Sequence, residues 1–403
     1  MTKFFNTTRH TLAILIGISI PTSVVLTNIL CPLALLFILV EGRYKQKFNT
    51  LRQHPLIILA LLLFAVMLFS FFYTSVSFSE AWLMVDKYRE FLYISLFILL
   101  FQDNITRKWG LYAFLGAMGI TLFLSYLVAI TGYPIAKGIP ENPAIFKNYI
   151  TQSVLMVLAA YFVMVLGWEK KGKWLYGIIV LLAIYNVIFM SEGRTGYLLL
   201  LCLIFLFVYQ NYHFRGVMVS SILVAILSVL VYQYSGILQK RIDKMTDNIE
   251  VYQQGDTNTS VGKRLEFYKN SLILIAQNPL LGTGSGSFAF EYKRLAESKG
   301  ISSSTNPHNE YLMIAVQWGL LGAGLFIALL YQMWRMTSHL KIQKQWMAQG
   351  LVITIVVGCL VNSLWLDNTE GHIFAYLIGV FYGGMTFKSS INVRNEDSIK
   401  YES

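Results

Sequence analysis

The chain has 403 residues, of which 56% are hydrophobic, 15% aromatic and only 13% charged. A soluble domain is about 25% charged, so this composition excludes one and indicates a polytopic membrane protein. The net charge of +11 fits basic loops meeting anionic lipid heads, and nothing calls for nucleic acid as a partner.

A spanning helix needs roughly 20 apolar residues, and such runs recur nearly end to end. In chain order the predicted spans are 8–20, 23–40, 56–74, 82–101, 110–131, 146–167, 174–190, 195–210, 216–234, 306–334, 346–366 and 371–388. The expected fold is therefore all-α, with about 12 spans, unless the first two form one helix broken at Pro21. The chain divides into nine spans over 1–234, a long polar loop over 235–305, three spans over 306–388 and a tail over 389–403. With the N-terminus inside, 18 of the 32 Lys and Arg residues fall in cytoplasmic segments and 5 in short outer loops. The remaining 9 lie in the long loop, which the positive-inside rule does not count. Both termini are thus expected in the cytoplasm and the long loop outside it. The N-terminal stretch reads as a retained anchor, because it lacks a small-residue cleavage site.

Cys31, Cys202 and Cys359 all fall within apolar runs, so they read as small core residues without a disulfide framework. Within the long loop, Leu238, Ile242, Met245, Ile249 and Tyr252 recur at helical spacing and predict an amphipathic surface helix. A second helix begins near Ser260, with Leu265, Tyr268, Leu272 and Ile275 on one stripe, and Asn278-Pro279 ends it. Gly282–Gly286 reads as a flexible turn or hinge, and a third helix covers Ser287 to Lys299.

Three reactive side chains, Arg194, Arg264 and His308, fall at expected helix starts on the outer side. A helix N-terminus carries partial positive charge and free N–H donors, so two arginines there are costly unless an anion binds between them. Arginine's planar fork suits a diphosphate, and Lys263 adds a charge beside Arg264. Asn306 as N-cap and Pro307 at the first position would put His308 in the opening turn of a span. There the helix end would keep its imidazole neutral and able to accept a proton. The plainer readings are an interfacial histidine and two arginines gripping lipid phosphates. Asn309 and Glu310 adjoin this element. Asp367, Glu370 and His372 cluster in the last outer loop, as acceptor-binding groups or as a solvated surface. The long loop has no Asp-x-Asp pair, so no metal and no cofactor are expected. Nucleotide sugars are unavailable on the outer face, so a sugar donor there would be lipid-linked.

The stretch Gly262-Lys-Arg-Leu-Glu-Phe-Tyr through Asn278-Pro-Leu-Leu-Gly-Thr-Gly, with Asn306-Pro-His-Asn-Glu-Tyr-Leu and Gly319-Leu-Leu-Gly322, resembles the O-antigen ligase and polymerase superfamily. The resemblance covers the whole chain in span count and loop placement, and is strong in residues from about 190 to 322. It implies an inner-membrane glycosyltransferase of the membrane-embedded (GT-C-like) type with a helical periplasmic loop. The donor would be a glycan on undecaprenyl diphosphate and the acceptor the lipid A core. His308 would activate the acceptor hydroxyl, and Arg194 and Arg264 would hold the diphosphate. Within the superfamily the short charged tail favours the ligase over protein-glycosylating members, with the polymerase as the nearest rival. A secondary transporter is a separate alternative. It would require two related halves and ionisable groups at mid-membrane, neither of which is visible here.

Overall fold

The structure is a computed structural model and describes residues 2–191, 193–234 and 259–387. Fifteen helices follow one another without a strand among the described residues. They are α1 (Thr2–Thr22), α2 (Val24–Val40), α3 (Tyr44–Gln53), α4 (Pro55–Phe69), α5 (Phe78–Lys87), α6 (Glu90–Leu100), α7 (Asn104–Thr131) and α8 (Tyr149–Gly167). Then come α9 (Lys173–Tyr185), α10 (Arg194–Tyr234), α11 (Ser260–Gln277), α12 (Phe288–Lys299), α13 (Glu310–Thr337), α14 (Ile342–Val361) and α15 (Asn368–Tyr382). Seven of these, with their short 3-10 or π extensions, are long and apolar enough to cross a membrane: α4, α7, α8, α9, α10, α13 and α14. The pair α2–α3, bent by 119°, makes an eighth candidate.

Each expected apolar run falls largely on helix, and two are interrupted. The first two are separate helices, because Ser23 leaves the helical region and caps α2 through Leu26 N–H. The run 82–101 breaks at Tyr88–Arg89 into α5 and α6. Tyr88 is fully buried there and its hydroxyl donates to Glu310 at 2.6 Å. The run 306–334 is bent at Gly319, where φ is 62°. The surface helix expected on Leu238, Ile242, Met245, Ile249 and Tyr252 lies outside the described residues, as does the tail over 389–403.

The core sits between α6, α8, α13, α14 and α15. Every residue of α15 from Thr369 to Tyr382 is buried. Burial on every face places this 15-residue helix inside the bundle. Tyr376 anchors it by donating to Ala13 O at 2.7 Å on α1 and to Gly110 O at 3.1 Å on α7. Trp365, just before α15, stacks on Phe91 of α6 at 4.6 Å between ring centroids.

The bundle has two polar ends. At one, Arg9 Nη2 donates to both Glu41 oxygens at 2.5 and 2.6 Å, Lys47 reaches the same carboxylate at 3.0 Å, and Lys344 donates to Asn104 at 3.0 Å. This basic end gathers the loops 41–54, 101–104 and 338–344. The opposite end gathers 70–78, 145–153, 191–196, 259–310 and 362–368, and it holds all the candidate residues.

The turn at Gly282–Gly286 is a locked plug, not a hinge. Thr283 N–H donates to Val316 O at 2.9 Å, Gly284 N–H to Gln317 O at 2.8 Å and Gly286 N–H to the Gln317 side chain at 2.7 Å. In return Leu320 N–H bonds Pro279 O at 2.8 Å, and Leu321 N–H bonds Leu280 O at 3.2 Å. The kink at Gly319 frees the helix groups that make these bonds, and a Cβ on Gly319 would lie 2.2 Å from Leu280 O. Ser285, wholly buried, completes the plug through Ser70 and the Trp318 indole, each at 2.8 Å. This plug fixes α11 and α12 against α13, and so fixes the start of α11 relative to His308.

Candidate active site

α10 begins where two glycines press it onto α8. A Cβ on Gly193 would come within 2.3 Å of Ser153 Oγ, so any larger residue would force Ser153 to shift. Ser191 Oγ donates to Tyr149 O at 3.3 Å, and the Tyr197 hydroxyl donates to Ser191 O at 2.8 Å. The first turn of α10 is thereby held in place, with Arg194 exposed and Thr195 buried behind it. Arg194 has no ion-pair partner among the described residues.

α11 is capped by Thr259, whose Oγ1 accepts from Gly262 N–H at 3.0 Å. Lys263 is exposed and Arg264 half-buried in the first turn. One turn on, the Tyr268 hydroxyl donates to Leu360 O at 2.9 Å and to His308 O at 3.3 Å. Phe267 lies over the His308 ring at 6.4 Å between centroids. The stripe that reads as apolar in the sequence therefore carries a hydrogen-bonding tyrosine aimed at the site.

His308 stands outside the helix, which corrects the expected capping. Asn309, not Asn306, is the N-cap of α13, accepting from Leu312 N–H at 3.1 Å. Its amide also donates to Leu360 O at 2.9 Å, so Asn309 is committed to the backbone. Asn306 instead folds the approach: its side-chain oxygen accepts His308 N–H at 2.7 Å and the Ser363 hydroxyl at 2.8 Å. This holds His308 at φ 54°, a left-handed conformation that costs a non-glycine residue about 1–2 kcal/mol. Strain of this kind is retained where the surroundings over-determine it, commonly at functional sites. Burial first, then the positive charge of Arg264, pushes the His308 pKa below its usual 6.5. The neutral imidazole expected from the sequence is favoured, but by burial first rather than by the helix end. Asn362 is buried and donates to Thr195 Oγ1 at 2.8 Å. Arg264 thus acts on His308 by its charge, and Asn362 ties the segment before α15 to Thr195, next to Arg194.

The secondary candidates separate. Glu310 is wholly buried and accepts from the Tyr88 hydroxyl at 2.6 Å, Trp365 N–H at 2.8 Å and Leu366 N–H at 3.3 Å. It pins the 362–367 segment to the start of α13 and has no free face for substrate. The cluster expected at Asp367, Glu370 and His372 is not a loop surface. His372 lies fully buried in α15, with Nδ1 2.9 Å from the Glu90 carboxylate and 2.5 Å from Asn368 O. Glu370 is also buried, and its Oε1 has no hydrogen-bond partner among the described residues. Only Asp367 is exposed, at the N-cap of α15. No group of three or more His, Cys, Asp or Glu able to hold a metal occurs among the described residues.

Residues 178–327 match a family model described as O-antigen ligase. The segment that carries Arg194, Arg264 and His308 is O-antigen ligase-like. An uncharacterized protein of Haemophilus influenzae (strain ATCC 51907 / DSM 11121 / KW20 / Rd) is 28% identical over 260 residues, covering 60% of this chain. The match spans 62% of the length of that relative. Among solved structures, a chain described under "Structural coordination of polymerization and crosslinking by a peptidoglycan synthase complex" superposes with a TM-score of 0.48 at 13% identity. It covers 81% of this chain and 95% of that one.

Proposed function

We propose that this protein is an O-antigen ligase: a membrane glycosyltransferase that moves glycan from undecaprenyl diphosphate to a hydroxyl of the lipid A core. The observation that carries this reading is His308, strained, half-buried and kept neutral by burial and the charge of Arg264, inside the segment that matches the ligase family. In the reaction the acceptor oxygen attacks the anomeric carbon and forms the new glycosidic bond. Its proton passes to a ring nitrogen of His308. The bond from the anomeric carbon to the diphosphate oxygen breaks, and undecaprenyl diphosphate leaves with the electron pair. Arg264 and Arg194, with Lys263 at the rim, offset the charge that develops on the leaving group. The diphosphate is a good leaving group, so charge stabilisation is needed more than a strong acid.

In this reading the protein spans the inner membrane about 12 times, including the shorter helices and both halves of α10. The basic end, with Arg9, Lys47 and Lys344, faces the cytoplasm, and the site faces the periplasm. The outer loop runs over 235–305 and the tail over 389–403. The test is lipopolysaccharide from a strain lacking the gene, run beside its undecaprenyl-linked glycans. Bare lipid A core with accumulated lipid-linked polymer supports the ligase. Core capped by a single repeat would assign the polymerase instead, and an unchanged ladder would refute both.

A further inference from the structure

We propose that the cavity at the basic end of the bundle binds the headgroup of an anionic membrane lipid, a phosphate ester with free hydroxyls such as a phosphoglycerol. This inference does not depend on the transfer chemistry, because the cavity lies at the end of the bundle opposite His308. It has a volume of about 840 Å³ and is walled by α3, by Gln102 after α6 and by residues 383–387 after α15. Gly42 and Arg43 both take left-handed backbone, at φ 78° and 56°, where the chain bends by 119° from α2 into α3. Arg43 and Lys45 line the cavity from the start of α3, both exposed and without an ion-pair partner among the described residues. None of its lining residues is acidic. The carboxylates nearest in the chain are already engaged, Glu41 by Arg9 and Lys47, and Asp103 by Thr106 N–H. The positive charge of this wall is therefore left for a ligand, and phosphate is the anion that lipid headgroups present.

The other end of the cavity is built for a different group. His54 lines it there and is only 1% exposed. Its Nε2 lies 3.3 Å from Tyr382 O, and a carbonyl only accepts, so that nitrogen carries the ring hydrogen. Nδ1 then offers a lone pair, yet it is buried and has no hydrogen-bond partner among the described residues. Buried polar atoms are normally paired, and a ligand hydroxyl supplies the donor that an ionised phosphate lacks. From Lys45 to His54 the chain rises about 13 Å along α3, so the two needs lie at separate ends of the cavity. A phosphate with a hydroxylated stem meets both. A lipid source is favoured because Tyr44 and Phe48, 65% and 62% exposed on α3, form an apolar shoulder one turn apart, as aromatic residues do at a membrane interface.

The experiment titrates the full-length protein in detergent with short-chain lipids and reads the lipid retained per chain by native mass spectrometry. The parent should retain phosphatidylglycerol at least about tenfold more tightly than phosphatidylcholine, whose headgroup has no net charge. It should also prefer phosphatidylglycerol to phosphatidylmethanol, which has the same phosphodiester charge and no hydroxyl. In the double variant Arg43→Asn with Lys45→Gln, asparagine tolerates the left-handed backbone, and affinity for both anionic lipids should fall about 10- to 50-fold. His54→Phe keeps a ring against Phe387 and removes Nδ1, so it should erase the preference for phosphatidylglycerol while phosphatidylmethanol still binds. Equal retention of phosphatidylglycerol and phosphatidylcholine, or unchanged affinity in the double variant, would overturn the proposal. If His54→Phe does not fold, the two anionic lipids on the parent decide the part played by the hydroxyl, and equal affinity would refute it. Glycerol 3-phosphate bound as tightly as the lipid would make the ligand a soluble phosphate ester and refute the lipid source. Retention is read without transfer, so a failed transfer assay would refute the ligase reading and leave this one standing.

Discussion

Removing the Glu310 carboxylate should loosen the site without touching substrate. In Glu310→Ala two buried donors and one part-buried donor lose their acceptor: the Tyr88 hydroxyl at 2.6 Å, Trp365 N–H at 2.8 Å and, part-buried, Leu366 N–H at 3.3 Å. A buried donor left unpaired costs about 1–3 kcal/mol. The long Leu366 bond adds little, so the two short ones set the scale, at about 3–5 kcal/mol. Against a total stability of about 5–15 kcal/mol, this is a large fraction. Tyr88→Phe removes one of the donors together with its need for an acceptor, so it should cost less. The double variant should cost less than the sum of the two single ones. The assay is denaturant unfolding of the purified protein in detergent, with transfer activity measured in parallel. Activity should fall with stability, because Asn362 and Ser363 ride on the segment that Glu310 anchors. If Glu310→Ala is as stable as the parent, the carboxylate does not hold the segment. If it is stable yet inactive, Glu310 acts in the chemistry and the structural reading fails.

Three further outcomes are expected. His308 accepts a proton only when neutral, and Arg264 helps hold its pKa below 6.5; activity is therefore present above that lowered pKa and is lost as pH falls through it. Arg264→Gln removes the opposing charge, so the acid limb of kcat/KM should move to higher pH, and an unmoved limb would separate the two residues. Arg264→Lys keeps the charge but loses the fork, so donor KM should rise by about tenfold, and unchanged affinity would remove the diphosphate clamp from the mechanism. Gly319→Ala forces a methyl group to within 2.2 Å of Leu280 O at a φ of 62°. It should destabilise the plug by at least about 1–3 kcal/mol, read as faster proteolysis within 279–287, and wild-type resistance would show that the plug yields.

Helices were legible in this chain because apolar runs of spanning length have few other solutions in lipid. Their interruptions were not. Residues 82–101 read as one run, and only the buried Tyr88–Glu310 bond shows why the chain breaks at 88–89. Gly319 carries no local signal for a kink, since the bonds that stabilise it come from residues 279–286. The expected cap failed for a similar reason: Asn306 and Asn309 both suit an N-cap, and the choice turns on Ser363 binding Asn306 from far along the chain. Arg264 and His308 were readable as chemistry beside an apolar stripe. Glu370 and His372 read as loop groups, able to bind acceptor or simply solvated, because acidic and imidazole side chains are usually exposed, whereas α15 buries both.

The most direct test of the account is transfer in a defined system. Purified protein in vesicles receives undecaprenyl-diphosphate-linked glycan and lipid A core, with no nucleotide, and the glycosylated core and released undecaprenyl diphosphate are measured together. The account predicts equal amounts of both from the parent, and a loss of about 10²–10⁴-fold in His308→Ala while the variant remains inserted and folded. Undiminished transfer by His308→Ala would contradict it.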